Sequence, residues 1–80
     1  MKKDATEQSA LAMYFALQYP VSFYPESDGG FVAEIEDLPG CLTQGESLTE
    51  VSDRIEEARR LWIEAAFSYG DSIPLPAYRP

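Results

Sequence analysis

Histidine is absent from this sequence, and cysteine occurs once, at Cys41. The first absence excludes Ser–His–Asp triads and histidine metal sites. The second excludes an intrachain disulfide and fits a reducing compartment. Cys41 has no Cys-x-x-Cys spacing either, so its expected role is that of a small buried apolar group in a strand. No phosphate-cradling G-x-x-x-x-G-K-[ST] or G-x-G-x-x-G occurs, and Gly29-Gly30 and Gly40 read as turn glycines. The apolar stretch Ala10 to Leu17 is too short to span a bilayer and lacks the small-residue cleavage pattern of a secretory signal. A soluble, cytoplasmic protein with no membrane partner is expected. Basic residues are also few: 6 against 14 acidic ones, a net charge of −8. Such a surface repels phosphate backbones, so direct nucleic-acid binding by this chain alone is not expected. Tyr14, Tyr19, Phe23 and Phe31 lie on apolar faces without bases beside them and read as core, not stacking platforms. The acid keeps the chain soluble, or speeds its encounter with a basic partner.

What is present is enough for one compact domain with a thin core, a size that often compensates by oligomerising. Residues 1–9 read as a frayed start. Ala10, Leu11, Met13, Tyr14 and Leu17 recur at spacings of three and four, giving a short N-terminal helix capped by Ser9 or Thr6, or a segment running into the first strand. Residues 1–17 are thus an N-terminal extension, and 18–80 the domain proper. Tyr19 to Tyr24 alternates as a strand, with Tyr19, Val21 and Phe23 on one face and Pro20 marking an edge or a strand start. Asp28-Gly29 signals a hairpin turn. Phe31 to Glu36 is the second strand, with Phe31, Ala33 and Ile35 on its covered face. Asp37-Leu38-Pro39-Gly40 is a turn, and Cys41 to Glu46 a short third strand.

Ser47-Leu48-Thr49-Glu50 has the form of a capping box, Ser47 bonding the Glu50 amide and Glu50 returning to the Ser47 amide. It predicts a helix over 48–69 that stops at Gly70. Leu48, Val51, Ile55, Ala58, Trp62, Ala65 and Tyr69 form the stripe expected to meet the sheet. Glu50, Asp53, Arg54, Glu56, Glu57, Arg59, Arg60 and Glu64 form the expected solvated face, with Glu50–Arg54 and Glu56–Arg60 as four-residue ion pairs. Leu61, Ile63, Ala66 and Phe67 widen the apolar surface beyond one stripe. The N-terminal helix, the tail Ile73-Pro74-Leu75-Pro76 or a second copy must cover them. These four are the candidate contacts of a homodimer or tetramer, with pairing through the first or third strand as the other route. The only carboxylates that suggest chemistry are Glu34, Glu36 and Asp37. With Glu50 or Asp53 they would hold a divalent cation; otherwise Glu34 and Glu36 line the wet face of a half-exposed sheet.

Several runs resemble the HicB-like antitoxin domain. They are Tyr19-Pro20-Val21, Gly30-Phe31-Val32-Ala33, the D-L-P-G-C of Asp37, Leu38, Pro39, Gly40 and Cys41, and Gln44-Gly45-Glu46-Ser47-Leu48-Thr49-Glu50. Ala58, Leu61-Trp62, Ala65 and Ile73-Pro74-Leu75-Pro76 follow the same pattern, and the likeness covers about 18–76. It implies an α+β fold in which a three-stranded antiparallel sheet packs on one long C-terminal helix. That fold is described for the family as partial ribonuclease-H-like, often with a short final strand. Fold likeness does not carry nuclease activity with it. The resemblance further implies a non-enzymatic role without cofactor or metal: binding a HicA-like toxin, small, basic and mRNA-cleaving, and masking its active site. The ten residues after the long helix leave no room for the C-terminal DNA-binding domain that many HicB proteins carry, so operator binding is not carried over. A residual metal-dependent nuclease and an orphan interaction domain are the alternative functions.

Overall fold

The computed structural model describes residues 5–77, with side chains from Gln8 onward. Its elements are α1 (Ala5–Ala16), β1 (Ser22–Pro25), β2 (Phe31–Glu34), β3 (Leu42–Gly45) and α2 (Leu48–Tyr69). The strands form one antiparallel sheet in the order β1-β2-β3. Phe23 pairs with Ala33 and Ala33 with Thr43, which fixes the register across all three. This is the α+β arrangement of sheet and long helix expected from the sequence. Residues 71–77 form no strand, so the short final strand is not seen among the described residues. Residues 1–4 of the expected frayed start, and residues 78–80, lie outside them. Residues 5–9 are already helical, and Ser9 stands within α1 rather than at its cap.

The strands are shorter than the alternation suggested. β1 begins at Ser22, after Pro20, whose missing N–H cannot join a ladder. β2 ends at Glu34 because Ile35 already enters the turn: its amide bonds the Cys41 carbonyl at 2.9 Å, and its carbonyl accepts from the Leu38 amide at 3.1 Å. The second helix has the expected limits. Ser47, in extended conformation, accepts the Glu50 amide at 3.1 Å, and Gly70 ends the helix at φ 72°. One detail differs: the Glu50 carboxylate receives the Glu46 amide, at 3.1 Å, one residue before the expected donor.

The stripe that α2 buries is rotated from the expected one. Val51, Ile55, Arg59, Ile63 and Ala66 are buried. Ala58 and Trp62 are half-buried, while Leu48, Ala65 and Tyr69 are exposed. Leu48 and Tyr69 stand at the helix ends, beyond the short strands. The core comprises Tyr19, Ala33, Ile35, Leu38, Cys41, Val51, Ile55 and Ile63. α2 lies on β3 and β2, and α1 lies on α2. Tyr14 of α1 meets Phe67 edge-on with ring centroids 6.2 Å apart, and the Arg60 guanidinium sits 4.2 Å from the Phe15 ring centroid.

This corrects the set proposed as oligomer contacts. Ile63 and Ala66 belong to the chain's own core, and Phe67 is half-buried beside Tyr14. Only Leu61 of the four stands clear, 60% exposed. The tail closes another side: Ile73 packs on the core, and the Tyr19 hydroxyl donates to the Pro74 carbonyl at 2.7 Å.

Candidate partner-binding surface

The turn after β2 is held from three directions. Leu38 is fully buried, and its carbonyl accepts the Cys41 amide at 2.9 Å. Gly40 adopts φ 83°, a left-handed conformation that side chains with a Cβ resist. The Trp62 indole donates to the Pro39 carbonyl at 2.8 Å, and Asp37 accepts the Ala77 amide at 3.1 Å. This turn therefore joins β2, α2 and the tail. Burial pushes the Cys41 thiol up from its ordinary pKa, opposite to the activation a nucleophile needs. Gln44 and Gly45 carry the chain under α2. A Cβ on Gly45 would lie 2.9 Å from the Val51 amide nitrogen, so glycine permits the close approach of strand and helix.

The charges are distributed unevenly. Three basic side chains fall among the described residues, Arg54, Arg59 and Arg60, and each is engaged within the chain. Arg54 donates to the Gln44 carbonyl at 3.0 Å and pairs with Glu50 at 3.4 Å. Arg60 lies over Phe15. Arg59 is 8% exposed, against the expectation of a solvated residue. Its guanidinium donates to the Phe15 carbonyl at 2.8 Å and to the Leu17 carbonyl at 3.5 Å, at the C-terminal end of α1, and pairs with Glu56. A cation at a helix C-terminus meets the negative end of the dipole and its unsatisfied carbonyls. The bond from Arg59 holds the Glu56 carboxyl below its ordinary pKa. The expected Glu56–Arg60 pair is thus replaced by a three-residue pair.

The acids face outward. Asp53, Glu57 and Glu64 follow one another along the exposed side of α2, with Leu61 among them. At the hairpin end this ridge meets a cleft of about 550 Å³ lined by Glu26, Asp28, Glu46 and Glu50, with Arg54 at its side. Glu34 stands on the open sheet face, away from Glu50 and Asp53, which lie on the helix side. Among the described residues no three Asp, Glu or Cys side chains come together in a group that could hold a metal ion. No helix among them is long and apolar enough to cross a membrane. Sequence reading found the acids but missed Arg59. The signal was there: Arg59 stands four residues from both Ile55 and Ile63, on the stripe itself.

Comparison with known proteins agrees with this architecture. Residues 19–78 match the family model described as HicB_like antitoxin of bacterial toxin-antitoxin system. UPF0150 protein ssl0259 of Synechocystis sp. is 43% identical over 58 residues, 72% of this chain and 80% of that protein. Antitoxin HicB of Escherichia coli (strain K12) is 33% identical over 61 residues, 76% of this chain; the match spans 44% of that longer protein. The crystal structure of TTHA0281 from Thermus thermophilus shares the fold, with a TM-score of 0.63 at 24% identity over 98% of this chain and 99% of that one. The chain belongs to the HicB-like antitoxin family of bacterial toxin–antitoxin systems.

Proposed function

We propose that this chain is an antitoxin module that neutralises a small, basic, mRNA-cleaving toxin of the HicA type by covering its RNA-binding active site. The module acts by binding, without catalysis or cofactor, and the family supplies the role. The observation that carries the toxin's chemistry is the asymmetry of charge. Arg54, Arg59 and Arg60 are held by internal partners, while Asp53, Glu57 and Glu64 project from α2 beside the acidic cleft. A protein that attracts RNA carries a positive surface, and such a surface is drawn to this ridge by the same field that would draw a phosphate backbone.

The test is to mix the chain with a small basic HicA-type toxin and assay cleavage of a defined mRNA. Cleavage should stop at equimolar antitoxin, with a complex on gel filtration. Reversing two ridge charges, Glu57→Lys with Glu64→Lys, should slow association most at low salt, where screening is weakest. Undiminished cleavage with no complex overturns the proposal; inhibition indifferent to the ridge charges moves the interface elsewhere on the chain.

A further inference from the structure

The two edges of the sheet are not equivalent. Along β3, the Ile35 amide bonds the Cys41 carbonyl, and the register places Ala33–Thr43 and Phe31–Gly45 in the same hydrogen-bonded phase. Leu42, Gln44 and Glu46 therefore turn their backbone groups away from β2. Three of those six groups are occupied. The Leu42 amide donates to the Gly40 carbonyl at 3.1 Å, Arg54 caps the Gln44 carbonyl, and Glu50 takes the Glu46 amide. Two side chains of α2 thus lie along this edge and cover part of it.

Among the described residues, nothing covers β1 in this way. The Glu26 amide bonds the Gly30 carbonyl at 2.7 Å, and the register carries that phase to Tyr24–Val32 and Ser22–Glu34. Phe23, and Val21 just before the strand, therefore turn amide and carbonyl to the free side. Phe23 is 42% and Tyr24 46% exposed, one on each face of the strand. Natural edge strands are commonly blunted by charge, yet residues 17–25 carry none in a chain of net charge −8.

We propose that the β1 edge is the self-association surface of this protein, where a second copy adds its own β1 antiparallel to make a continuous six-stranded sheet. Charge selects the occupant. A basic partner is drawn to the acids of α2 and finds nothing to attract it on 17–25. Two copies that repel each other elsewhere approach with least repulsion along this neutral strip. Proline selects the register. Pro25 turns outward but has no N–H to give, which disfavours the register that sets it opposite Val21; pairing Val21 with Phe23 of the other copy about a two-fold axis at Ser22 keeps Pro25 out of the central bonds. Phe23 then packs on Val21 across the new seam.

The experiment is sedimentation equilibrium of the full chain together with amide hydrogen exchange. At tens of micromolar the mass should be that of two chains. On going from dilute to concentrated protein, protection of the Phe23 amide should rise on the order of tenfold, whereas Ser22 and Tyr24, bonded to β2, stay protected throughout. Phe23→Lys should raise the dimer dissociation constant at least about tenfold, and Leu61→Glu should leave it unchanged. The exchange readout uses the wild-type chain, so it stands even if Phe23→Lys unfolds. A monomer at these concentrations overturns the proposal. So does a dimer broken by Leu61→Glu but not by Phe23→Lys, a dimer in which the Phe23 amide still exchanges freely, or protection that appears only when a basic partner is added.

Discussion

Replacing Arg59 by methionine removes the guanidinium and keeps an apolar stem of similar reach, which isolates what the charge does. In the native chain that guanidinium donates to the Phe15 carbonyl at 2.8 Å, a hydrogen bond from a charged group in a largely dry place. Bonds of that kind contribute about 1.5–3 kcal/mol, and their loss leaves the carbonyl without its partner. The Leu17 contact, at 3.5 Å, is too long to add much. The Glu56 pair adds little as well, about 0–1 kcal/mol, because the Glu56 side chain is 61% exposed and its charge is well screened. Repacking around the methionine stem changes the balance by less than about 1.5 kcal/mol. Arg59→Met should therefore lower stability by about 2–4 kcal/mol in urea titration, and amides of α1 should lose exchange protection first. A small pH effect accompanies this. The folded-state pKa of Glu56 is depressed, so its contribution is present above the ordinary carboxylate range and is lost as pH falls through the folded value. The gap between wild type and Arg59→Met should narrow slightly in acid. A variant within about 0.5 kcal/mol of wild type, with α1 equally protected, would refute the assignment of Arg59 as the tie between the helices.

Two further substitutions test the start of α2. Ser47→Ala removes the acceptor for the Glu50 amide and should lower stability by about 0.5–2 kcal/mol; an unchanged urea midpoint would mean that Ser47 is not the cap. Gly45→Ala places a methyl group 2.9 Å from the Val51 backbone nitrogen, where no flexible side chain can yield. The strand or the helix start must shift, and a loss of about 1–3 kcal/mol is expected by thermal unfolding, with stability equal to wild type ruling out the close approach.

The order of elements was legible because each carries its own local chemistry: period-two alternation at Phe31 to Ile35, a serine cap at Ser47, a glycine stop at Gly70. The inward side of α2 was not. A stripe chosen by counting apolar residues favoured Trp62, Ala65 and Tyr69, because a buried cation is rare enough to be discounted. Arg59 is buried since its guanidinium meets the carbonyl end of α1, and that contact spans 44 residues of sequence. No periodicity reports such a partner. The same rotation moved Ile63 and Ala66 from the proposed oligomer surface into the core. α1, tied down by Arg59, supplied the cover for Phe67 that a second copy was expected to give.

The residues that identify the family are mostly turned to the chain itself. Leu38 fills the core, Gly40 makes the turn, and Gly45 lets α2 approach. Ser47 and Glu50 bond backbone amides, and the carbonyls of Pro39 and Gln44 accept from Trp62 and Arg54. Side chains so engaged are poorly placed to meet a partner. A motif of this kind specifies a scaffold, and through the family a role, without specifying which surface the partner touches. Partner choice must then rest on residues the motif leaves out. On the proposed reading those are the acids along the wet side of α2 for a basic protein, and the neutral edge of β1 for another copy of itself. The two surfaces differ in charge, and the backbones of β1 and α2 do not approach each other closely. On the two proposals taken together, both would be occupied at once, with each antitoxin in a pair holding one toxin. If the β1 seam and the α2 ridge are both used, the complex should contain two copies of each protein, and Phe23→Lys should halve its mass without releasing the toxin.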